Sequence, residues 1–328
     1  MPMLLDRGFA VRVVDRFFFG RDRLPQHDRL EIVIEDSRRI EQEHLHDIDA
    51  VIDLAAISND PSGELFQEPT WSINHRARVR CARLARLAGV EKYILPSSCS
   101  VYGFQDHETV STETSDTNPL TTYAKANLAA EQDVLGLASE DFCVTVLRQA
   151  TVYGYSPRMR FDLAINGMTY GAWKTGKLPL MRDGSQWRPM IHVIDTSEAQ
   201  IFMLEADTDD INRQIFNVGS DSNVYQIGPL GEVVAASVPG EVTIEWYGDP
   251  DHRSYRVAFD KIESLGWMAK YEATDAVAEI VAALEDGIID RTPETITLEW
   301  YKTLYRFKQL LGEMTIDGEL LDLEESVE

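Results

Sequence analysis

Lysine is scarce in this chain: only eight of its 31 cationic residues are lysine, against 55 carboxylates in 328 residues, and the net charge is −24. A phosphate backbone needs a basic stripe, so nucleic acid is excluded as a partner. Low lysine with abundant acid points to a salt-adapted organism; the plainer alternative is an acidic soluble enzyme, since net charge speaks to solubility and not to fold. Cysteine is scarcer still. Cys81, Cys99 and Cys143 are odd in number and widely spaced, giving neither a disulfide framework nor a zinc ligand set, so no metal is expected. No apolar run approaches the ~18 residues that read as a membrane span. The N-terminus lacks a basic segment followed by an apolar one, so a reducing cytoplasm is the expected compartment.

What is present is globular: 44% hydrophobic and 26% charged residues, enough for a sizeable core. Short apolar runs alternate with helical patterns through the first half. Residues 9–15, 30–34, 50–54, 92–96 and 143–147 read as strands, with helices at about 67–89 and 120–139. That rhythm predicts βαβ units, hence an α/β fold with a doubly wound parallel sheet of Rossmann type. After about residue 155 the rhythm loosens. Helices near 161–174, 195–205, 273–287 and 294–312 mix with strands at 188–193, 214–218 and 242–247, which fits a smaller α/β lobe. The expected division is 1–155 for the parallel-sheet domain, 156–314 for the lobe interleaved with it, and 315–328 for a solvated acidic tail.

Asp15 ends the first of these strands. An acid at the end of the second strand of a dinucleotide fold hydrogen-bonds a ribose hydroxyl and favours NAD over NADP; Arg16 beside it is the kind of residue that accepts a 2′-phosphate. A glycine-rich phosphate turn belongs about 20 residues before such an acid, which falls ahead of Met1. Residues 1–8 read instead as the tail of a helix closed by Gly8. The first strand and glycine turn are therefore expected to be missing from this sequence, through a start site called too late or through native clipping. The former is favoured, because a parallel sheet without its central strand exposes two unpaired edges.

Ser97-Ser98-Cys99-Ser100-Val101-Tyr102-Gly103 follows the 92–96 strand, where an open α/β sheet binds its ligands, and Tyr123 lies at the start of the next helix. Together with Asp53-Leu54-Ala55-Ala56-Ile57, Asn118-Pro119-Leu120-Thr121-Thr122-Tyr123 and Arg188-Pro189-Met190-Ile191-His192-Val193-Ile194-Asp195, this order of segments resembles the extended short-chain dehydrogenase/reductase family, and within it the nucleotide-sugar epimerases and dehydratases. Val152-Tyr153-Gly154, Phe216-Asn217-Val218-Gly219 and Leu265-Gly266-Trp267 extend the resemblance over about residues 3–310.

The resemblance implies a tightly held NAD that removes hydride from a sugar carbon and later returns it, so that the cofactor does the redox chemistry and the protein orients it. Tyr123 would be the base on the sugar hydroxyl and Ser98 would polarise the same oxygen. The family's lysine, four residues after the tyrosine, is here Asn127, which offers the ribose a hydrogen bond but no charge to stabilise tyrosinate. Lys125 cannot substitute: on a helix two residues lie about 200° apart and four about 40°, so it points away from the face shared by Tyr123 and Asn127. Where dehydratases carry an acid and a base after the motif hydroxyl, this chain has Cys99 and Ser100, which argues against 4,6-dehydration and leaves Cys99 as a candidate acid/base thiol or a small turn-filling residue.

For the cofactor the resemblance implies Asp15, Asp36, Ser37, Leu54, Ala55, Ala56, Asn74 and Ser97 beside Tyr123 and Asn127. For a nucleotide-diphosphate sugar it implies Thr151, Arg188 and one of Arg253 and Arg256, planar guanidinium groups suiting phosphate. The basic stretch at 156–162 is expected to line the sugar lobe, His192 to be structural, and the protein to be a homodimer. Two functions compete: an NAD-dependent nucleotide-sugar epimerase acting through a keto-sugar, and a binding protein of the same fold that has lost turnover. Ser98, Tyr123 and Arg188 favour the first; Asn127 and the absent glycine turn favour the second.

Overall fold

Strands β3 (Ala50–Ile52), β4 (Lys92–Ser98), β6 (Cys143–Gln149) and β10 (Gln214–Val218) form a parallel sheet in the order β10-β6-β4-β3. These coordinates are a computed structural model, which describes residues 1–106, 108–249 and 253–315; the expected acidic tail therefore lies, from residue 316 on, outside the described residues.

Period-two alternation in β4 and β6 sets the layering. Tyr93, Leu95, Val144 and Val146 point to one face, where α4 (Arg78–Ala88) and α5 (Thr122–Leu135) cover them with Val79, Ala82, Ala85, Ala130 and Val134. Ile94, Cys143 and Leu147 point to the other, under Ala199 and Met203 of α7 (Val193–Glu205). Leu95, Val144, Val146 and Leu147 are wholly buried, each contributing roughly 1.5–3 kcal/mol by leaving water. Helices on both faces of a parallel sheet make the doubly wound architecture that the strand–helix rhythm predicts.

The N-terminal strands β1 (Val11–Asp15) and β2 (Leu30–Ile34), preceded by the short α1 (Pro2–Asp6), pair in parallel only with each other. Among the described residues no ladder joins β1 to β3. The sheet is thus two hydrogen-bonded pieces, with one edge of β1 and one of β3 unpaired.

The second core lies beyond residue 155. Here α6 (Ala164–Thr175), α9 (Ile227–Ser237) and α11 (Ala273–Glu285) enclose the parallel pair β8 (Lys177–Met181) and β12 (Thr243–Tyr247) through Met168, Leu178, Leu180, Leu230, Val234 and Val277. A three-stranded sheet of β7 (Thr151–Tyr153), β9 (Trp187–His192) and β11 (Val224–Gln226) joins the two cores. Beside it β13 (Arg256–Val257) pairs with β5 (Val110–Ser111). The remaining helices are the short α2 (Asp60–Leu65), α3 (Gln67–Thr70), α8 (Thr208–Ile211) and α10 (Asp260–Ser264), and the long α12 (Thr297–Met314). Among the described residues no helix is long and apolar enough to cross a membrane.

The helix expected at 67–89 is interrupted. Between α3 and α4 the chain makes a wider π-helical turn over Trp71–Ala77, a departure common at functional sites. It carries Asn74 to the loop after β3, where the side-chain amide bonds both backbone groups of Ile57, at 2.8 and 3.0 Å.

Candidate active site

The first turn of α5 is held from outside. Thr121 caps it, accepting from the Ala124 N–H at 3.1 Å and donating to Asp60 Oδ1 at 2.6 Å. Glu64 accepts from the Thr122 N–H at 2.6 Å. Glu64 thus sits on an orphan N–H of a helix N-terminus and Asp60 on the hydroxyl that caps it, where negative charge is favourable. Gly63 permits the approach: a Cβ there would stand 3.1 Å from Tyr123 Cβ. The sequence therefore spends one glycine and two acids on locating a single tyrosine.

Ser98 is the last residue of β4 and caps the turn that follows, its Oγ accepting from the Ser100 N–H at 3.2 Å. Its own proton stays free to donate. Ser98 at the end of β4 and Asn127, one turn further along α5, are the uncharged side chains that act on the half-buried Tyr123 phenol, so these three residues converge at the carboxyl end of β4. Burial pushes the phenol above its ordinary value; the Arg78 guanidinium and the Ser98 and Asn127 side chains pull it back, while the Asp60 carboxylate pushes it up. Lys125 is exposed, on the opposite side of α5.

Behind this trio lies a polar network inside the core. Arg148 and Glu131 form a buried ion pair at 2.8 Å. Ser97 donates to Glu131 at 2.5 Å, Arg148 to the Tyr102 hydroxyl at 3.0 Å, and Tyr102 to Asn217 Oδ1 at 2.7 Å. The Ser97 side chain is therefore engaged inward. Cys99 is also turned inward, donating to the Arg148 carbonyl at 3.2 Å, and burial raises its thiol far above the ordinary range. Gly103 closes the turn at φ +65°, where a Cβ would fall 1.7 Å from the Asn118 carbonyl oxygen; only glycine lets these two motif segments touch.

After the carboxyl end of β2, Asp36 caps the turn at Ser37–Arg39 and is held by Arg38 at 2.8 Å and Arg16 at 3.0 Å, which keeps its carboxyl far below the usual range. Arg16, Ile34, Asp36 and Arg38 line a cleft of about 270 Å³. Asp15 accepts from the Phe17 N–H at 2.5 Å. Leu54 is 61% exposed and Ile34 60% exposed, while Ala55 and Ala56 are half-buried beside them. Bare aliphatic surface next to a ribose-suited acid fits an adenosine, and the Tyr123 trio fits the nicotinamide end of the same cofactor; no glycine turn precedes Asp15 in these residues.

The arginines of the second lobe gather where β9 meets β13. Arg188 stacks over Tyr255 at 5.3 Å and Arg256 over Trp187 at 4.9 Å. Arg188 donates to the Trp187 carbonyl at 2.9 Å and to the Arg253 carbonyl, while Arg253 pairs with Asp60, tying this cluster to the α2 clamp. Among the described residues Arg256 Nε is a buried donor without a partner, as an arginine awaiting phosphate would be. Thr151 opens β7, half-buried. The basic stretch at 156–162 is otherwise engaged: Arg158 stacks on Phe19 and bonds Thr297 at 3.0 Å, and Arg160 pairs with Asp162 at 2.8 Å. His192 is fully buried, bonded to Glu279 at 3.0 Å and stacked on Tyr271.

Arg78, Glu131, Arg148 and Asp60 were not among the residues expected from sequence. Periodicity holds a signal for two of them. Arg78 shares a helix face with the buried Ala82 and Ala85, and Glu131 lies four residues beyond Asn127 on its face. A charge on a buried stripe demands a partner, but the partner comes from another element.

The fold is that of a dinucleotide-binding α/β protein. Residues 1–219 match the NAD dependent epimerase/dehydratase family, and the chain belongs to it. It is 26% identical over 312 residues to UDP-glucose 4-epimerase of Corynebacterium glutamicum, covering 88% of this chain and 92% of that one. Among solved structures it is similar to MoeE5 in complex with UDP-glucuronic acid and NAD, at 26% identity and TM-score 0.74, covering 87% of this chain and 94% of that one. It shares its fold with UDP-glucuronic acid 4-epimerase from Bacillus cereus, at 20% identity and TM-score 0.77 over 87% and 94% of the two chains.

Proposed function

We propose that the protein is an NAD-dependent nucleotide-sugar epimerase that works through a keto-sugar. The observation that carries this reading is the meeting of Ser98, Tyr123 and Asn127 at the carboxyl end of β4, supported by family membership. Asp15, Asp36 and Ser37 would hold the adenosine, and Leu54, Ala55 and Ala56 would cover the cofactor, with Asn74 shaping their loop through Ile57. When bound, NAD would take hydride from the sugar carbon and give it back.

The protein's own part is proton transfer and alignment. Tyr123 Oη, as tyrosinate, takes the proton of the sugar hydroxyl; Ser98, whose hydrogen is uncommitted, donates to that same oxygen and holds it in line. On return the phenol gives the proton back to the oxygen. Thr151, Arg188 and Arg256 would bind the nucleotide-sugar diphosphate, the orphan Nε of Arg256 gaining its missing partner, with Arg253 as the link to Asp60. Arg148, Glu131 and Ser97 keep the β4 turn rigid, and Cys99 fills it. The same reading takes the protein as a cytoplasmic homodimer, and three free, buried cysteines accord with a reducing compartment.

The test is conversion of UDP-hexoses and UDP-hexuronic acids with added NAD. Tyr123→Phe should lower turnover by about 10²–10⁴-fold, the worth of a general base, with nucleotide-sugar binding by calorimetry nearly unchanged. Full activity in Tyr123→Phe would remove the assigned base. Binding without turnover in the unaltered protein would leave a sugar-nucleotide binding protein in place of an enzyme.

A further inference from the structure

Arg78 opens α4 and is only 4% exposed. Its guanidinium makes three hydrogen bonds, to the Ala55 carbonyl at 3.2 Å, the Asp53 carbonyl at 3.4 Å and Asn127 Oδ1 at 3.1 Å. All three acceptors are neutral. Among the described residues no carboxylate pairs with it; the nearby Asp53 carboxylate is taken by the Tyr93 hydroxyl at 2.5 Å and by the Ala55 N–H. A buried guanidinium without a counter-ion is expensive, and no packing need explains it, since Ala82 and Ala85 fill the same face one and two turns on.

Arginine only donates, so the bond to Arg78 dictates which way the Asn127 amide faces: Oδ1 toward Arg78 and the Nδ2 donor away from it. Asn127 follows Tyr123 by one turn of α5, on the same helix face, and its side chain acts on the phenol. Nδ2 is the group that stabilises a phenolate, and Arg78 stands one side chain behind it.

We propose that Arg78 supplies, through Asn127, the positive charge that Tyr123 needs to act as a base. The work done elsewhere in such sites by one ammonium group is here divided between a buried guanidinium and the amide that it orients. Arg78 is in these terms a positioning residue, and the proposal rests on the reading of Tyr123 as the base. The charged and titratable groups facing the phenol from other elements are Arg78 of α4 and Asp60 of α2; those facing Arg78 are Asp53, Cys81 and Tyr93. Asp60 opposes the effect of Arg78, and is itself offset by Arg253.

The ionisation of Tyr123 is measurable without substrate or cofactor. Tyrosine labelled with ¹³C at Cζ reports it by NMR, the Tyr123 signal being the one lost in Tyr123→Phe. Relative to the unaltered protein, Arg78→Gln should raise the titration midpoint by at least ~1 pH unit, tenfold less tyrosinate at a given pH; Arg78→Lys should return it to within about half a unit. An unchanged midpoint in Arg78→Gln overturns the proposal, and so does an equal rise in both variants, which would mean altered packing and not lost charge. If Arg78→Gln does not fold, Asn127→Ala in the otherwise intact chain decides: it cuts the link between the guanidinium and the phenol, so the midpoint should rise by at least ~1 pH unit, and an unchanged midpoint overturns the proposal. These outcomes are read without turnover and so stand apart from the reading they rest on: full activity in Tyr123→Phe removes Tyr123 as the base, and binding without turnover in the unaltered protein removes the enzyme.

Discussion

Removing Arg148 should damage this protein more than removing any surface cation. Its side chain and that of Glu131 are 4% and 1% exposed, with a shortest contact of 2.8 Å, and Arg148 Nε makes two further bonds to the same carboxylate, at 3.1 and 3.3 Å. Arg148→Met leaves a buried carboxylate with only the Ser97 hydroxyl as partner and takes a donor from Tyr102. Breaking one side of a buried pair costs about 3–5 kcal/mol, and at roughly 1.5 °C per kcal/mol for a chain of this length the melting temperature should fall by about 4–7 °C. The paired variant Arg148→Met/Glu131→Leu should recover at least ~1 kcal/mol of that loss, because it removes the stranded charge. The assay is urea unfolding at neutral pH, followed by tryptophan fluorescence and circular dichroism with coincident transitions required. A loss below ~1 kcal/mol in Arg148→Met, or a paired variant whose loss equals the sum of the single ones, would refute the view that this pair is a coupled structural unit.

Acid titration should single out Asp36. Its folded carboxyl is held down by hydrogen bonds from Arg38, against burial and with the help of Arg16, so its stabilising contribution is complete above the ordinary carboxylate value near ~3.9 and is lost as pH falls from there toward the depressed folded value. The stability gap between the unaltered protein and Asp36→Asn should therefore be constant above about pH 5 and narrow below about pH 4; a gap that widens on acidification contradicts the assignment. At Gly63 an added methyl would meet Tyr123 Cβ at 3.1 Å and its backbone N at 3.3 Å. Gly63→Ala should then lower kcat several-fold while shifting the unfolding midpoint by no more than ~1–2 kcal/mol, and unchanged kcat would show that the start of α5 does not need that contact.

Much of this architecture was legible in the order of residues. The runs at 30–34 and 214–218 are strands over those very positions, and helices lie within the stretches 67–89, where a π-helical turn interrupts, and 120–139, because apolar periodicity is a local property that packing only has to accept. Lys125 was excluded from the tyrosine's face by helix geometry alone, and it is exposed. The motif segments likewise marked Ser98 and Tyr123 as candidates, since a turn at the end of a parallel strand and a capped helix start are read from a few adjacent residues.

Tertiary structure decided everything that depends on residues far apart in the chain. Asn127 reads as a missing charge until Arg78, 49 positions earlier, is seen to bond its amide. Ser97 and Cys99 look as accessible as Ser98 in the motif, yet one is bound to Glu131 and the other to the Arg148 carbonyl. Arg158 and Arg160 read as a basic patch, but stack on Phe19 and pair with Asp162. The reason is the same in each case. Sequence pattern tells which side chains leave water, because burial follows periodicity; it does not tell which polar group meets which once inside, because that pairing is set by the packing of separate elements and by the requirement that every buried charge be satisfied.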